Sequence, residues 1–116
     1  MIKFIFKSKK KMAEPFTETV RVGKYTLTSH AQNRIADPSR NLKKFYILDN
    51  LFREPLGYRD FKINKLGQPS YIQVGRYAST VINPLNNNVV TARRPNAKDA
   101  KVLNLERKGD RYVKIK

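Results

Sequence analysis

The chain contains no cysteine, and its single histidine, His30, stands alone. Without cysteine there is no disulfide framework and no thiolate ligand, and one imidazole cannot assemble the usual zinc ligand sets. Cysteine catalysis, zinc fingers and disulfide-rich secreted scaffolds are therefore excluded. Carboxylates are scarce too, with 9 Asp and Glu against 25 Lys and Arg in 116 residues. They are scattered, with neither a DxD pair nor an E-x-x-H cluster, so a two-metal nuclease has no evident ligand set. No P-loop, no GxSxG elbow and no helix-turn-helix pair with a clear recognition helix is present. Long apolar runs are also missing. Nothing approaches the roughly 18 apolar residues of a transmembrane helix. The N-terminal apolar stretch around Phe4, Ile5 and Phe6 is interrupted by Lys3 and falls short of a secretory core of about 7–15 residues. No membrane association is expected, and a soluble chain is.

What the sequence has in excess is positive charge. A formal net charge of +16 repels itself in the folded state and implies a polyanionic partner. Nucleic acid is the commonest such partner; an anionic membrane surface or an acidic protein is the alternative. The length is that of one small domain, which buries about two thirds of its unfolded surface. With 40% hydrophobic residues, including 6 Phe and 6 Tyr, it can build a modest core without staples. Residues 1–20 read as a basic N-terminal arm, either a loose tail or a short edge strand, with Met12 a second possible start. Residues 21–95 read as the domain proper. Residues 96–116 read as a basic tail or an extra strand, with one helical turn near Ala97 to Leu105.

Local signals order the middle of the chain. Tyr25 to Thr28 is a short extended segment, and Thr28-Ser29 stand where a helix N-cap belongs, ahead of His30 to Ala36. Asp37-Pro38 closes that helix, because the residue before proline is driven out of the helical region. Ser39 can cap a second helix. From Asn41 to Arg53 the apolar Leu42, Phe45, Tyr46, Leu48, Leu51 and Phe52 recur mostly at spacings of three and four, an amphipathic helical period. Pro55-Leu56-Gly57 stops it. The period then changes to two. Tyr58 to Asn64, Ser70 to Gly75, Ala78 to Ile82 and Val89 to Arg93 read as four strands. The Gly, Pro and Asn of the intervening segments supply turns. Such short connections predict an antiparallel meander, since parallel pairing needs a crossover of a dozen or more residues. The expected architecture is an α+β domain, two N-terminal helices packed on a four-stranded antiparallel sheet.

His30 and Arg34 lie four apart and share a helix face, with His30 in the first turn. Free backbone N–H groups there attract phosphate, an imidazole can act as general base, and a guanidinium one turn away can clamp a phosphate with paired hydrogen bonds. The plainer alternative is a histidine that caps or packs against a neighbour, beside one more surface cation. If Val90 faces the core, Thr91 faces outward, where its hydroxyl could donate to a phosphate oxygen; threonine is equally an ordinary strand former. Lys62, Lys65, Arg76, Arg93 and Arg94 spread charge around the sheet. Tyr58, Tyr71 and Tyr77 interleave with them, a mixture suited to unpaired bases. Metal-free cleavage of RNA is feasible with so few groups. The 2′-hydroxyl is its own nucleophile, so the protein supplies only a base, an acid and stabilisation of the phosphorane.

The run from Tyr25 through His30-Ala31-Gln32-Asn33-Arg34, the helix ending Leu48-Asp49-Asn50-Leu51, and Thr80-Val81-Ile82-Asn83-Pro84 leading to Val89-Val90-Thr91 carry a family likeness. Over about residues 21 to 95 the chain resembles the C-terminal ribonuclease domains of bacterial polymorphic and contact-dependent inhibition toxins, of the barnase, EndoU, colicin and RelE superfamily. The resemblance implies metal-independent endoribonuclease activity, often on tRNA, in the cytoplasm of a target cell when the toxin is delivered. It implies no cofactor and no metal, and neutralisation by a cognate immunity protein; an acidic antitoxin is the corresponding partner in a two-gene module. Carried onto this sequence, it points to His30 as general base or acid, Arg34 as phosphate clamp and Thr91 as hydroxyl donor. Lys62 or Arg76 is a further cation. Arg93, Arg94, Lys65 and Tyr71 complete the expected RNA contacts. A non-catalytic basic RNA-binding protein is the alternative reading.

Overall fold

A computed structural model describes residues 15–53 and 55–115. Residues 1–14 of the expected basic arm lie outside the described residues. The described chain begins with a hairpin of two short strands, β1 (Val20–Val22) and β2 (Tyr25–Leu27). Its turn needs Gly23, whose φ is +61° and whose added Cβ would sit 2.8 Å from the Phe52 ring. Helix α1 (Ser29–Ala36) follows at once. Thr28 caps it, its hydroxyl accepting from the Ala31 N–H at 3.1 Å.

Asp37 ends α1 and caps a 3-10 turn, Pro38–Arg40, by accepting from the Ser39 N–H. Asn41 then adopts a left-handed conformation (φ 52°), which breaks the helical path. The second helix, α2 (Lys44–Phe52), therefore starts after Lys43 with no side-chain cap. Ser39 does not cap it. From α2, Tyr46, Ile47 and Leu51 are buried, together with the polar Asn50.

Strands β3 (Gly57–Ile63), β4 (Pro69–Val74), β5 (Ser79–Asn83) and β6 (Asn88–Arg93) run as an antiparallel meander. The sheet is not four-stranded and not wholly antiparallel. The β1–β2 hairpin joins it through β2, which pairs parallel to β6 at Thr26↔Asn88 and Leu27↔Val89. The result is a mixed six-stranded sheet in the order β1-β2-β6-β5-β4-β3. The expectation of four strands failed because it tested neighbours along the chain. The sequence between β2 and β6, with α1 and α2, is itself the long crossover that a parallel pair requires.

A third helix, α3 (Ala97–Leu103), and a separate hairpin, β7 (Leu105–Lys108) and β8 (Arg111–Lys114), complete the described fold. So there are three helices, not two, and they are divided between the faces of the sheet. Ala31 and Ile35 of α1 and Tyr46, Ile47 and Leu51 of α2 pack with Ile82, Val89 and Ala92 on one face. Each large aliphatic side chain fully buried there contributes about 1.5–3 kcal/mol. Beneath α2 the core is polar. Asn50 Nδ2 donates to the carbonyls of Gln73 (2.7 Å) and Ala78 (2.8 Å), and its Oδ1 accepts from Thr80 Oγ1 at 2.7 Å. Gln73 Nε2 donates in turn to the Asn50 carbonyl at 2.7 Å. On the opposite face, α3 covers β3, β5 and β6, and Leu103 lies against Gly57, where a Cβ would meet it at 2.9 Å.

Two bulges adjust the alternation. One falls between Arg59 and Lys62, where Asp60 has φ 58°, and it turns Arg59 inward while Phe61 stacks on Tyr71 with ring centroids 5.0 Å apart. The other falls at Val90, between the pairs Ile82↔Val89 and Val81↔Thr91. Val90 therefore does not face the core; it is 39% exposed, whereas Val89 and Ala92 are buried.

Candidate nucleic-acid interface

The start of α1 is fastened to β6. Thr28 N donates to the Val89 carbonyl (3.2 Å) and Thr28 Oγ1 to the Val90 carbonyl (3.0 Å), at the bulge that precedes Thr91. Two residues beyond Thr28, His30 is exposed in the first helical turn. Arg34 Nε donates to His30 Nε2 at 3.2 Å. In this contact Nε2 is the acceptor. The pair is a mutual, exposed contact on one helix face, held to a rigid strand by its N-cap.

Thr91 is half-buried and faces away from the core formed by Val89 and Ala92, in register with Val81. No hydrogen bond joins its side chain to His30 or Arg34; the link is the backbone tie at Val90. Lys62 pairs with Ser70 on edge strand β3. It shares the Thr91 face but is three strands away, at least about 14 Å at the usual inter-strand spacing. One phosphate cannot reach both. Lys65 is exposed in the β3–β4 turn. Tyr71 lies on the α1–α2 face between Tyr58 and Phe61, and burial, reinforced by neighbouring Tyr25 and Tyr58, pushes its phenol above the ordinary value. It remains a neutral donor at physiological pH.

Arg93 is engaged elsewhere. Its Nη1 and Nη2 grip Asp99 at 2.6 and 3.0 Å, and Arg59 Nη1 reaches the same carboxylate at 2.9 Å. Ser79 Oγ and the Asn96 N–H donate to it as well. Asn96 and Asp99 also form the capping box of α3. Burial alone would raise the Asp99 carboxyl, but the bonds from Arg93, Asn96 and Ser79 and the Arg93 charge outweigh it and hold the group below the ordinary carboxylate value. This constellation anchors α3.

Cations gather instead in a cleft of about 590 Å³ at α2, lined by Phe45, Leu48, Asp49, Arg53, Arg76, Tyr77 and Arg111. Its walls are α2, the Gly75–Tyr77 turn and the end of the β7–β8 hairpin. Tyr112 N donates to the Arg76 carbonyl (2.9 Å), which pins the hairpin to the turn. Arg94 Nη2 donates to the Asp110 carbonyl and Tyr46 Oη to the Asp110 carboxylate, which hold the hairpin tip against α2. Tyr46 and Tyr77 are stacked, centroids 4.9 Å apart and planes 7° from parallel, with Phe45 edge-on to both. Arg94 lies 4.9 Å from the Tyr46 ring centre, a cation–π distance. Sequence reasoning reached Arg76, Arg94 and Tyr77 but missed Phe45, Arg53 and Arg111. The available signal was the run Lys43-Lys44-Phe45-Tyr46, a basic pair followed by two aromatics at a helix start.

A second cavity of about 530 Å³ lies between the β1–β2 hairpin and the two helices on that face, with Val20, Val22, Leu27, Ile35 and Leu51 among its apolar lining. Neither cavity is lined by His30, Arg34 or Thr91. Among the described residues, no three His, Asp or Glu side chains gather in a group that could hold a metal ion. Nor is any described helix long and apolar enough to cross a membrane. Compared with known proteins, the chain matches no family model, no curated protein and no solved structure.

Proposed function

We propose that the chain is a metal-independent endoribonuclease, with tRNA the substrate its resemblance implies and an acidic immunity or antitoxin protein its inhibitor. The observation that carries this reading is the exposed His30–Arg34 pair at the start of α1, 3.2 Å apart and fastened by Thr28 to the Val90 bulge. In the proposed reaction His30 takes the proton of the RNA 2′-hydroxyl, whose oxygen attacks the adjacent phosphorus. Arg34 releases His30 and stabilises the phosphorane; Thr91, which faces the other side of the sheet from α1, takes no part. The P–O5′ bond breaks, leaving a 2′,3′-cyclic phosphate and a 5′-hydroxyl that takes its proton from water. Purified full-length protein should cleave RNA in EDTA and leave these ends. His30→Ala should slow cleavage by at least about 100-fold, the lower range for a lost general base. Undiminished cleavage by that variant would remove His30 from the reaction.

A second reading, a non-catalytic RNA-binding protein, is favoured by the cationic and aromatic cleft, which needs no chemistry to be useful. Tight, salt-dependent binding with intact RNA recovered from the unmodified chain would select it.

A further inference from the structure

The cleft on α2 is built unlike an ordinary charged surface. Its cations are arginines, whose planar guanidinium groups bond phosphate oxygens in pairs, where a lysine offers a point charge. Arg53, Arg76 and Arg111 come from α2, the β4–β5 turn and β8, so three separate elements aim charge at one space. Among the described lining residues Asp49 is the one carboxylate, and Arg53 lies 3.3 Å from it. Beside the arginines stands an aromatic group with an open side. Tyr46 is buried and serves as a base for the stack, Tyr77 is half-buried, and Phe45 is 54% exposed. A Phe that sits edge-on to two tyrosines, yet stays half in water, leaves ring surface for another planar group.

We propose that this cleft is an RNA-binding site distinct from the His30–Arg34 pair, taking one unpaired nucleotide with its base against Phe45 and Tyr77 and its flanking phosphates on Arg76 and Arg111. An acidic polypeptide would satisfy the arginines but has no use for the exposed ring; a nucleotide uses both. The site rests on the reading above only in taking RNA as the polyanion, and it requires no cleavage.

The test is binding of a short fluorescein-labelled 2′-O-methyl oligoribonucleotide, which cannot be cut because its 2′-oxygen is blocked. Phe45→Ala, at a position 54% exposed, should weaken binding by about 5-fold to 150-fold, the range for one lost base stack, with the variant's folding checked by circular dichroism. The double variant Arg76→Ala, Arg111→Ala should flatten the dependence of log K on log salt by about 1.4, at about 0.7 per phosphate contact on a single strand. Binding unaffected by Phe45→Ala and by the double variant would overturn the cleft while leaving the nuclease reading intact. Binding that depends on the cleft, from a chain that cuts no RNA, would uphold the cleft and sink the nuclease reading. If polyglutamate displaces the oligonucleotide and itself binds with the same dependence on Phe45, the occupant is an acidic protein and the RNA assignment fails.

Discussion

On one face of the sheet α2 is held by neutral groups, the Asn50 and Gln73 amides and the Thr80 hydroxyl; on the other α3 is held by one carboxylate between two guanidiniums. Both networks are buried, and Asn50 and Asp99 are each at most 1% exposed. They differ in what they ask of the rest of the molecule. The amide network is self-contained, with each donor meeting an acceptor at any pH. The ionic network draws on the charge balance of the whole chain. Asp99 and Asp60 together offset Arg59 and Arg93, so two of the 9 carboxylates are spent on two cations that would otherwise crowd the surface. The lesson is that the excess charge is sorted. Some of it is internal mortar, and three arginines, Arg53, Arg76 and Arg111, face one cleft at α2.

The largest effect should come from breaking the ionic side. Asp99→Asn leaves the buried Arg59 with Asp60 alone as countercharge and Arg93 with none of its carboxylate bonds, and should cost about 3–5 kcal/mol in urea unfolding. A loss below 1 kcal/mol would mean that the guanidiniums find other partners and that the contrast between the faces is false. Asn50→Ala takes a buried partner from the Thr80 hydroxyl and the Gln73 carbonyl, while the Ala78 carbonyl keeps the Gly75 N–H at 2.8 Å, and should cost less, about 1–3 kcal/mol. The finest discrimination is by pH. The Asp99 carboxyl titrates lower in the folded chain than in the unfolded one, so its contribution is complete above the unfolded value of about 3.9 and declines as pH falls through the folded value. Asn50→Ala should keep that acid-side slope, and Asp99→Asn should flatten it. Equal slopes in both variants would assign the acid sensitivity to other carboxylates.

How much of this was legible follows the range of each interaction. The α1 start was readable because Thr28 caps a residue three positions away. The strands of the meander were readable from alternation and from turn residues such as Gly67 and Asn87, which take the positive φ that turns require. The β1–β2 hairpin was not, since its strands are three residues long and its docking strand lies some sixty residues on. For α3 only the capping pair Asn96 and Asp99 was available, as the helix carries no apolar stripe. Arg93 lies six positions from Asp99, but Arg59 and Ser79, which join it to the sheet, are 40 and 20 positions away, so its burial is not marked locally. In the same way the two halves of the candidate chemistry differ. His30 and Arg34 follow from helical spacing, whereas the cleft joins residues from three elements and exists only in the folded chain.

The tie from Thr28 to Val90 spans 62 positions, and it has a temporal meaning. A ribosome releases the chain from its N-terminus, so α1 and His30 emerge long before the strand that anchors them. Until β6 is made and inserted between β2 and β5, the early hairpin has nowhere to dock and the N-cap has only half its bonds. Closure of such distant pairs is slow relative to local helix formation. The histidine is thus among the first of the candidate groups to be synthesised and among the last to be put in its final setting.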